Sequence, residues 1–574
     1  MKKRYLRLIS LFVIMTMLFC ACGKKTDDKD TSGTKTDNTE TEDTQKEDAT
    51  VDGTDENKQD DASTDEGKQD TSTDDTSDDT NTGDSGQEPA DELTPKEIFS
   101  TVRRSTPYKY MNDHNPLITQ SYGADPYAIV YNDTVYVYMT GDTYEYDKEG
   151  NLVGNSYGKV NTIKVVSSKD LVNWTDCGSI RVAGRGNAAT WASQSWAPSV
   201  AYKNIDGKDK FFLYFANNAS NIGVLVSDSP TGPFTDPIGK PLFTREMPNC
   251  GDVTWLFDPG VFVDDDGSAY IYFGGGVPEG KDADPGTIRC AKLGADMTSI
   301  EGDIIKLDVP YVFEASCMNK IGDTYYYTYC SNWNVPQSVY GELGIKSAQI
   351  CYMTSDNPMG PFTLQGAILK NPYDYFKVGG NNHQSLFEFH GEWYIAYHSQ
   401  ILDIAAGNGG MGYRSTNIDK LTVREDGKIE LIEVATKLGV KQVGTLDVLN
   451  RVEAETMSTM AGINTRTYIG ASNNVAVNEF NTGDWIYLEG CDFGSGANTF
   501  TASVYAVEGQ SGLMEIKVGG LGGEVVGYFE ITPGDEGFRE ISVKLDKEVS
   551  GVHNMLLTFY GEGFMMDYWN FSQE

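Results

Sequence analysis

The chain has 574 residues, of which 39% are hydrophobic and 11% aromatic, with 33 Tyr and 61 Gly. That length exceeds a single hydrophobic core and implies two or three folded domains, and so much Tyr and Gly favours strands and tight turns over helical bundles. A formal charge of −38 argues against a nucleic-acid partner, because a polyanion would be repelled, but it leaves a neutral polymer open.

Lys2, Lys3, Arg4 and Arg7 precede an apolar run from Leu8 to Phe19, followed by Cys20-Ala21-Cys22-Gly23. A basic start, a short apolar core and a small residue before a cleavage point mark residues 1–22 as a secretory signal, too short to span a membrane comfortably. Ala21-Cys22-Gly23 resembles a bacterial lipoprotein processing site. The resemblance implies Cys22 as a lipid-bearing N-terminus on the extracellular face of the cell membrane, with a secreted form as the alternative. Residues 23–92 carry about 25 acidic and about 7 basic residues, nearly half of the charge excess, with almost no apolar ones. Such a stretch cannot bury enough surface to fold and reads as an extended acidic tether. The remaining cysteines, Cys177, Cys250, Cys290, Cys317, Cys330, Cys351 and Cys491, are scattered singly. They read as small buried hydrophobes, and the spacing leaves a single bridge open.

From about Tyr108 to Ile432 one pattern repeats five times: a strand, a tight turn and a β-rich partner strand. The first strands are Ala124–Val130, Ser195–Ala201, Phe257–Val263, Phe313–Met318 and Asn382–Phe387; a third strand follows in several units, as in 163–167, 222–227 and 350–355. Five small antiparallel sheets in succession imply radial repetition about an axis, a five-bladed β-propeller over residues 93–445. In that geometry the first strands line the axis. Asp125, Asp258 and Glu314, at matching places in units one, three and four, would then meet at one mouth. One Asp before Pro at a strand start often only caps a turn. Three carboxyls at equivalent places among apolar strands are costly unless used or paired.

Inverting glycoside hydrolysis needs a carboxylate that activates water and a protonated carboxyl that donates to the leaving oxygen, roughly 6.5–9.5 Å apart. A third carboxylate beside the acid raises its pKa. The motifs Ala124-Asp125-Pro126-Tyr127, Trp196-Ala197-Pro198-Ser199, Trp255-Leu256-Phe257-Asp258-Pro259, Phe313-Glu314-Ala315 and Asn381-Asn382-His383 resemble the blade motifs of family 43 glycoside hydrolases. The resemblance implies Asp125 as general base, Glu314 as general acid and Asp258 as pKa modulator. It further implies that His383 faces the axial cavity, near a calcium ion or water, and that Arg414 lines the substrate pocket. Trp196 and Phe257 are candidate apolar walls.

From Arg451 the texture changes to short alternating strands, a β-sandwich over residues 446–574. Val452-Glu453-Ala454-Glu455, Gly483-Asp484-Trp485 and Asp567-Tyr568-Trp569 resemble a family 6 carbohydrate-binding module. The resemblance implies a structural calcium held by Glu453, Glu455 and Asp567, oxygen ligands suited to that ion. For a sugar cleft the loops offer Phe480 and Phe538, with Met565 and Met566 where an Asn is expected. Propeller joined to sandwich resembles arabinoxylan arabinofuranohydrolases. The implied activity is release of arabinofuranose from xylan by a monomer, with a β-xylosidase or a noncatalytic glycan-capturing lipoprotein as alternatives.

Overall fold

Two-residue turns in which both residues take positive φ match the right-handed twist of flanking strands, and the chain supplies them where the repeats need them. Asn132 and Asp133 (φ 49° and 57°), Asp206 and Gly207 (53° and 82°), and His390 and Gly391 (52° and 78°) close the first hairpins of blades I, II and V. The structure, a computed structural model, describes residues 93–468, 475–534 and 537–573. The signal, tether and Cys22 readings lie outside the described residues.

Blade I contains the strands Ala124–Tyr131, Thr134–Thr140, Thr162–Ser168 and Trp174–Arg181; blade II Trp196–Ile205, Lys208–Asn217 and Asn221–Ser227; blade III Gly260–Val263, Ala269–Phe273, Ile288–Leu293 and Ile300–Leu307. Blade IV contains Val312–Ile321, Thr324–Ser331, Ile350–Ser355 and Thr363–Leu369, and blade V Gln384–Phe389, Glu392–Ser399 and Ser415–Leu421. Each innermost strand touches that of the next blade, and blade V touches blade I, so the ring is closed. Asp258 and His383 precede their strands rather than lying within them, as the sequence reading had placed them.

A shared irregularity aims the inner strands at the axis. The ladder skips from Ala124 to Tyr127 in blade I, from Trp196 to Ser199 in blade II and from Glu314 to Cys317 in blade IV. The bulged residues Asp125, Ala197 and Ala315 have φ of 47°, 40° and 70°, and Asp258 has 48° before the blade III strand. A bulge leaves its amide without a ladder partner and re-aims its side chain. Here neighbouring blades supply the acceptor: Thr140 Oγ1 for Ala197 (2.8 Å), Asp258 Oδ2 for Ala315 (3.0 Å) and His398 Nδ1 for Asp125 (3.0 Å). Glu314 therefore stands in register with Ala124 and Trp196. It is one residue ahead of the position held by Asp125, which refines the expectation of matching places.

The C-terminal module is a sandwich of two sheets, one built on Trp485–Asp492, Val552–Gly561, Gly512–Val518 and Glu524–Ile531, the other on Val475–Asn478, Phe564–Ser572, Ala497–Ala506 and Arg539–Val549. Phe500, Phe529, Leu557, Trp569 and Phe571 fill the space between them. Propeller and sandwich share one compact unit. Thr456–Met457 of the sandwich pairs antiparallel with Trp174–Thr175, adding a fifth strand to blade I. Residues ahead of the propeller run along the sandwich: Phe99 stacks on Tyr528, Ser105 bonds Asp484, and Trp485 donates to the Ser105 carbonyl. Asp176, buried at this junction, is held by Lys164 (2.7 Å) and Gln120 (3.3 Å). Six of the seven described cysteines are buried, Cys177 is half-buried, and none is paired.

Candidate active site

The mouth is assembled by close backbone approach between blades. Gly260 leaves room for the Ser316 carbonyl, and a Cβ at Gly275 would collide with the Phe313 carbonyl and lie 2.7 Å from the Phe257 ring. The amide of Gly276 donates to Phe313 O at 2.7 Å. This seam brings Asp258 against the Glu314 segment. Asp125, Asp258, Glu314, His383 and Arg414 are all buried. His383 Nδ1 stands 3.6 Å from Asp125 Oδ1 and 3.7 Å from Asp258 Oδ2, so one imidazole lies between the two aspartates.

The electrostatics separate the carboxyls. Burial pushes the Asp125 carboxyl up, but the Arg414 guanidinium, with Nη1 at 2.8 Å, and the neighbouring His398 and His383 together outweigh it and hold the group well below the usual carboxylate range. Arg414 is itself fixed by Asp142, which accepts from Nε (2.9 Å), Nη2 (2.8 Å) and the Arg414 amide (3.0 Å). The guanidinium also lies 4.8 Å from the centre of the Tyr157 ring. Glu314 is shifted the other way: burial, then the negative charges of Asp258 and Asp125, push its carboxyl well up, and Oε1 has no hydrogen-bond partner among the described residues. Asp258 is raised as well, by burial and then by Asp125, yet its Oδ2 receives the Ala315 amide. A backbone donor favours the anion, so of this coupled pair Asp258 ionises first and Glu314 keeps its proton. Burial pushes His383 down to about 4, which leaves it neutral at neutral pH.

Removing the Asp258 charge takes away a reason for the raised Glu314 pKa. Asp258→Asn is therefore expected to move the alkaline limb of the kcat/KM profile to lower pH, by about one pH unit for each 1.4 kcal/mol of lost repulsion. A pH–rate profile over both limbs measures it, and an unmoved alkaline limb counts against the pairing.

Trp196 is half-buried and donates from Nε1 to Tyr157 O at 3.1 Å. Phe257 is buried, and from it a row of rings leads outward: Trp255 at 5.5 Å, Phe313 a further 5.1 Å on, then Trp333 at 6.5 Å, which is 50% exposed. Asp142, Tyr157, His398, Trp255 and Trp333 were not singled out from sequence. The one local signal was a polar residue ending an apolar second strand, as in Met139-Thr140-Gly141-Asp142 and Ala396-Tyr397-His398.

In the sandwich, Phe480 is buried and packs on Phe559 (4.3 Å) and Phe564 (4.6 Å), so it belongs to the core rather than to a sugar cleft. Phe538 instead joins half-buried Tyr468 (5.6 Å) and Tyr505 (6.1 Å). Of the acids named for calcium, Glu455 and Asp567 are buried, while Glu453 is forked by Arg451 at 2.8 and 2.7 Å. Arg451 also lies 3.8 Å from Asp567. Its guanidinium stands where the acids would converge on a cation, and among the described residues no group of three or more His, Cys, Asp or Glu is spaced to hold a metal ion, either there or at His383. As placed, these side chains do not fit a calcium cage.

Known proteins carry the same architecture. Residues 114–429 match the family model "Glycosyl hydrolases family 43", and residues 453–573 match "Carbohydrate binding module (family 6)". The chain belongs to glycoside hydrolase family 43. This hydrolase is 45% identical over 506 residues to an arabinoxylan arabinofuranohydrolase of Bacillus subtilis (strain 168), covering 84% of this chain and 96% of that one. It is 45% identical over 487 residues to an arabinoxylan arabinofuranohydrolase of Paenibacillus polymyxa, covering 81% and 75% of the two chains. A crystal structure of the family 43 arabinoxylan arabinofuranohydrolase from Bacillus subtilis in complex with cellotetraose superposes with a TM-score of 0.78 at 44% identity, covering 82% of this chain and 99% of that one. The hydrolase is thus an inverting-family enzyme with a five-bladed propeller and an appended carbohydrate-binding sandwich.

Proposed function

We propose that the enzyme releases α-L-arabinofuranosyl side chains from arabinoxylan with inversion. Asp125 draws the proton from water as it attacks the anomeric carbon, Glu314 protonates the departing xylan oxygen, and Asp258 keeps Glu314 protonated until substrate arrives. The observation that carries this is the opposite displacement of two buried carboxyls in one mouth, Asp125 down beside Arg414 and Glu314 up beside Asp258. Arg414 acts here first by holding the base ionised, a role the pocket-lining expectation did not include. The ring row ending at exposed Trp333 suits the apolar faces of a polysaccharide backbone.

The half-exposed trio Tyr468, Tyr505 and Phe538 is the surface on which the sandwich would retain the same polymer. A lipid anchor at Cys22 and a place on the outer face of the membrane belong to the proposal. They are supported by the order of basic, apolar and cysteine residues at the start of the chain. A monomer suffices, since one chain supplies every group in the mouth. A structural calcium at Glu453, Glu455 and Asp567 would require Arg451 to leave Glu453 and Asp567, the two of these acids it engages.

The test is digestion of arabinoxylan followed by proton NMR of the released sugar. Free arabinose whose β anomer appears first is the expected result. Xylose as the main product would identify a xylosidase, and tight polymer binding with no sugar released would identify a glycan-capturing protein.

A further inference from the structure

We infer that His398 positions the base: its imidazole, engaged at both nitrogens, holds the Asp125 amide in the kinked conformation that aims the carboxylate into the mouth. This rests on the reading of Asp125 as the base.

Asp125 occupies a bulge at φ 47°, a backbone region that costs a non-glycine residue energy unless its surroundings impose it. Its amide has lost its ladder partner, and the atom that meets it is His398 Nδ1 at 3.0 Å. An N–H can be received only by an unprotonated nitrogen. The proton must then sit on Nε2, which donates to the Asn381 carbonyl at 2.9 Å. Nδ1 is also 3.2 Å from Asp125 Oδ1, but that oxygen already has its donor in Arg414 at 2.8 Å. That tautomer satisfies both hydrogen bonds of the ring and leaves Oδ1 to Arg414.

The ring, buried at the end of Glu392–Ser399, therefore joins two parts of the site. On one side is the backbone of the base. On the other is Asn381, two residues before His383, whose side chain approaches the Glu314 carboxyl. The corresponding amides in blades II and IV are met by a hydroxyl and a carboxylate. Of these three, only Asp125 has as its acceptor an aromatic ring whose far edge is also tied.

Isosteric amides separate the two nitrogens. In His398→Asn the side-chain oxygen stands where Nδ1 stood and can still accept the Asp125 N–H. In His398→Gln the amide reaches the place of Nε2 and leaves that N–H unpaired. His398→Gln is expected to lower kcat by about a hundredfold with KM changed less than about threefold, the size of effect that follows a misplacement of about 1 Å. His398→Asn should stay within about tenfold of the parent. A loss of kcat below about tenfold in folded His398→Gln overturns the inference, as does a loss in His398→Asn equal to that in His398→Gln. If melting curves show that His398→Gln does not fold, His398→Ala takes its place: a loss of about a hundredfold in folded His398→Ala that His398→Asn largely restores supports the role, and near-parent turnover in folded His398→Ala removes it. Asp125→Asn measured alongside keeps the two questions apart, since turnover surviving in that variant would refute Asp125 as the base whatever His398 does.

Discussion

Replacing Glu314 by Gln is expected to lower turnover of arabinoxylan by about a thousandfold, while an aryl arabinofuranoside with an acidic phenol loses only a small part of that. The difference follows from what Glu314 supplies. A xylan hydroxyl is a poor leaving group and needs a proton as the bond breaks, whereas an acidic phenolate departs without one. The Asp125→Asn variant should lose about as much on both substrates, because water must be activated in either case. Gln and Asn keep the shape and remove the ionisable group, so the comparison isolates chemistry from packing. Equal losses on the two substrates in Glu314→Gln would remove Glu314 as the acid. The pH profile gives the same assignment another way: with Asp125 held low and Glu314 held high, activity should span the interval between them and fall on the alkaline side as Glu314 loses its proton.

Arg414→Met should be the most damaging change to stability in the propeller. Arg414 is buried between Asp125 and Asp142, which are buried too. Removing one partner from such a set leaves uncompensated charge and costs about 3–5 kcal/mol. Part of that cost is relieved as the orphaned carboxyls take up protons, so the variant should be relatively more stable in acid than at neutral pH. Its residual activity should show an acid limb moved upward, because Asp125 has lost the cation that kept it ionised. Arg414→Lys should recover little, since one ammonium cannot fork onto Asp142 and still reach Asp125. Denaturant unfolding at pH 5 and pH 8 measures the first effect and a pH–rate profile the second. A loss under about 1 kcal/mol at pH 8 would show that the triad does not depend on its cation.

What the sequence made legible follows from what is local. Turns such as Asn132-Asp133 and His390-Gly391, each followed by an alternating aromatic strand, specify hairpins within a few residues, and five in series specify the ring. Asp125, Asp258 and Glu314 were visible because they recur at comparable places in three of the repeats, among apolar strands. The partners that set their protonation were not visible. Asp142 and Arg414 are 272 positions apart, and ring closure brings them together. The one local sign at Asp142, a polar turn closing an apolar strand, is shared by many acids and does not name its partner. Phe480 was misread for a related reason: its exposure depends on Phe559 and Phe564, far along the chain, which enclose it. Arg451 engages two of the acids named for calcium, a contact that the acidic residues by themselves did not announce.

The two residues Thr456–Met457, laid along the outer strand of blade I, have a meaning beyond joining two domains. That outer strand would otherwise show a row of free amide and carbonyl groups to solvent, the kind of template on which chains stack into aggregates. By occupying part of it, the sandwich covers an edge on which other chains could stack. A gene product cut off after the propeller would leave that edge open.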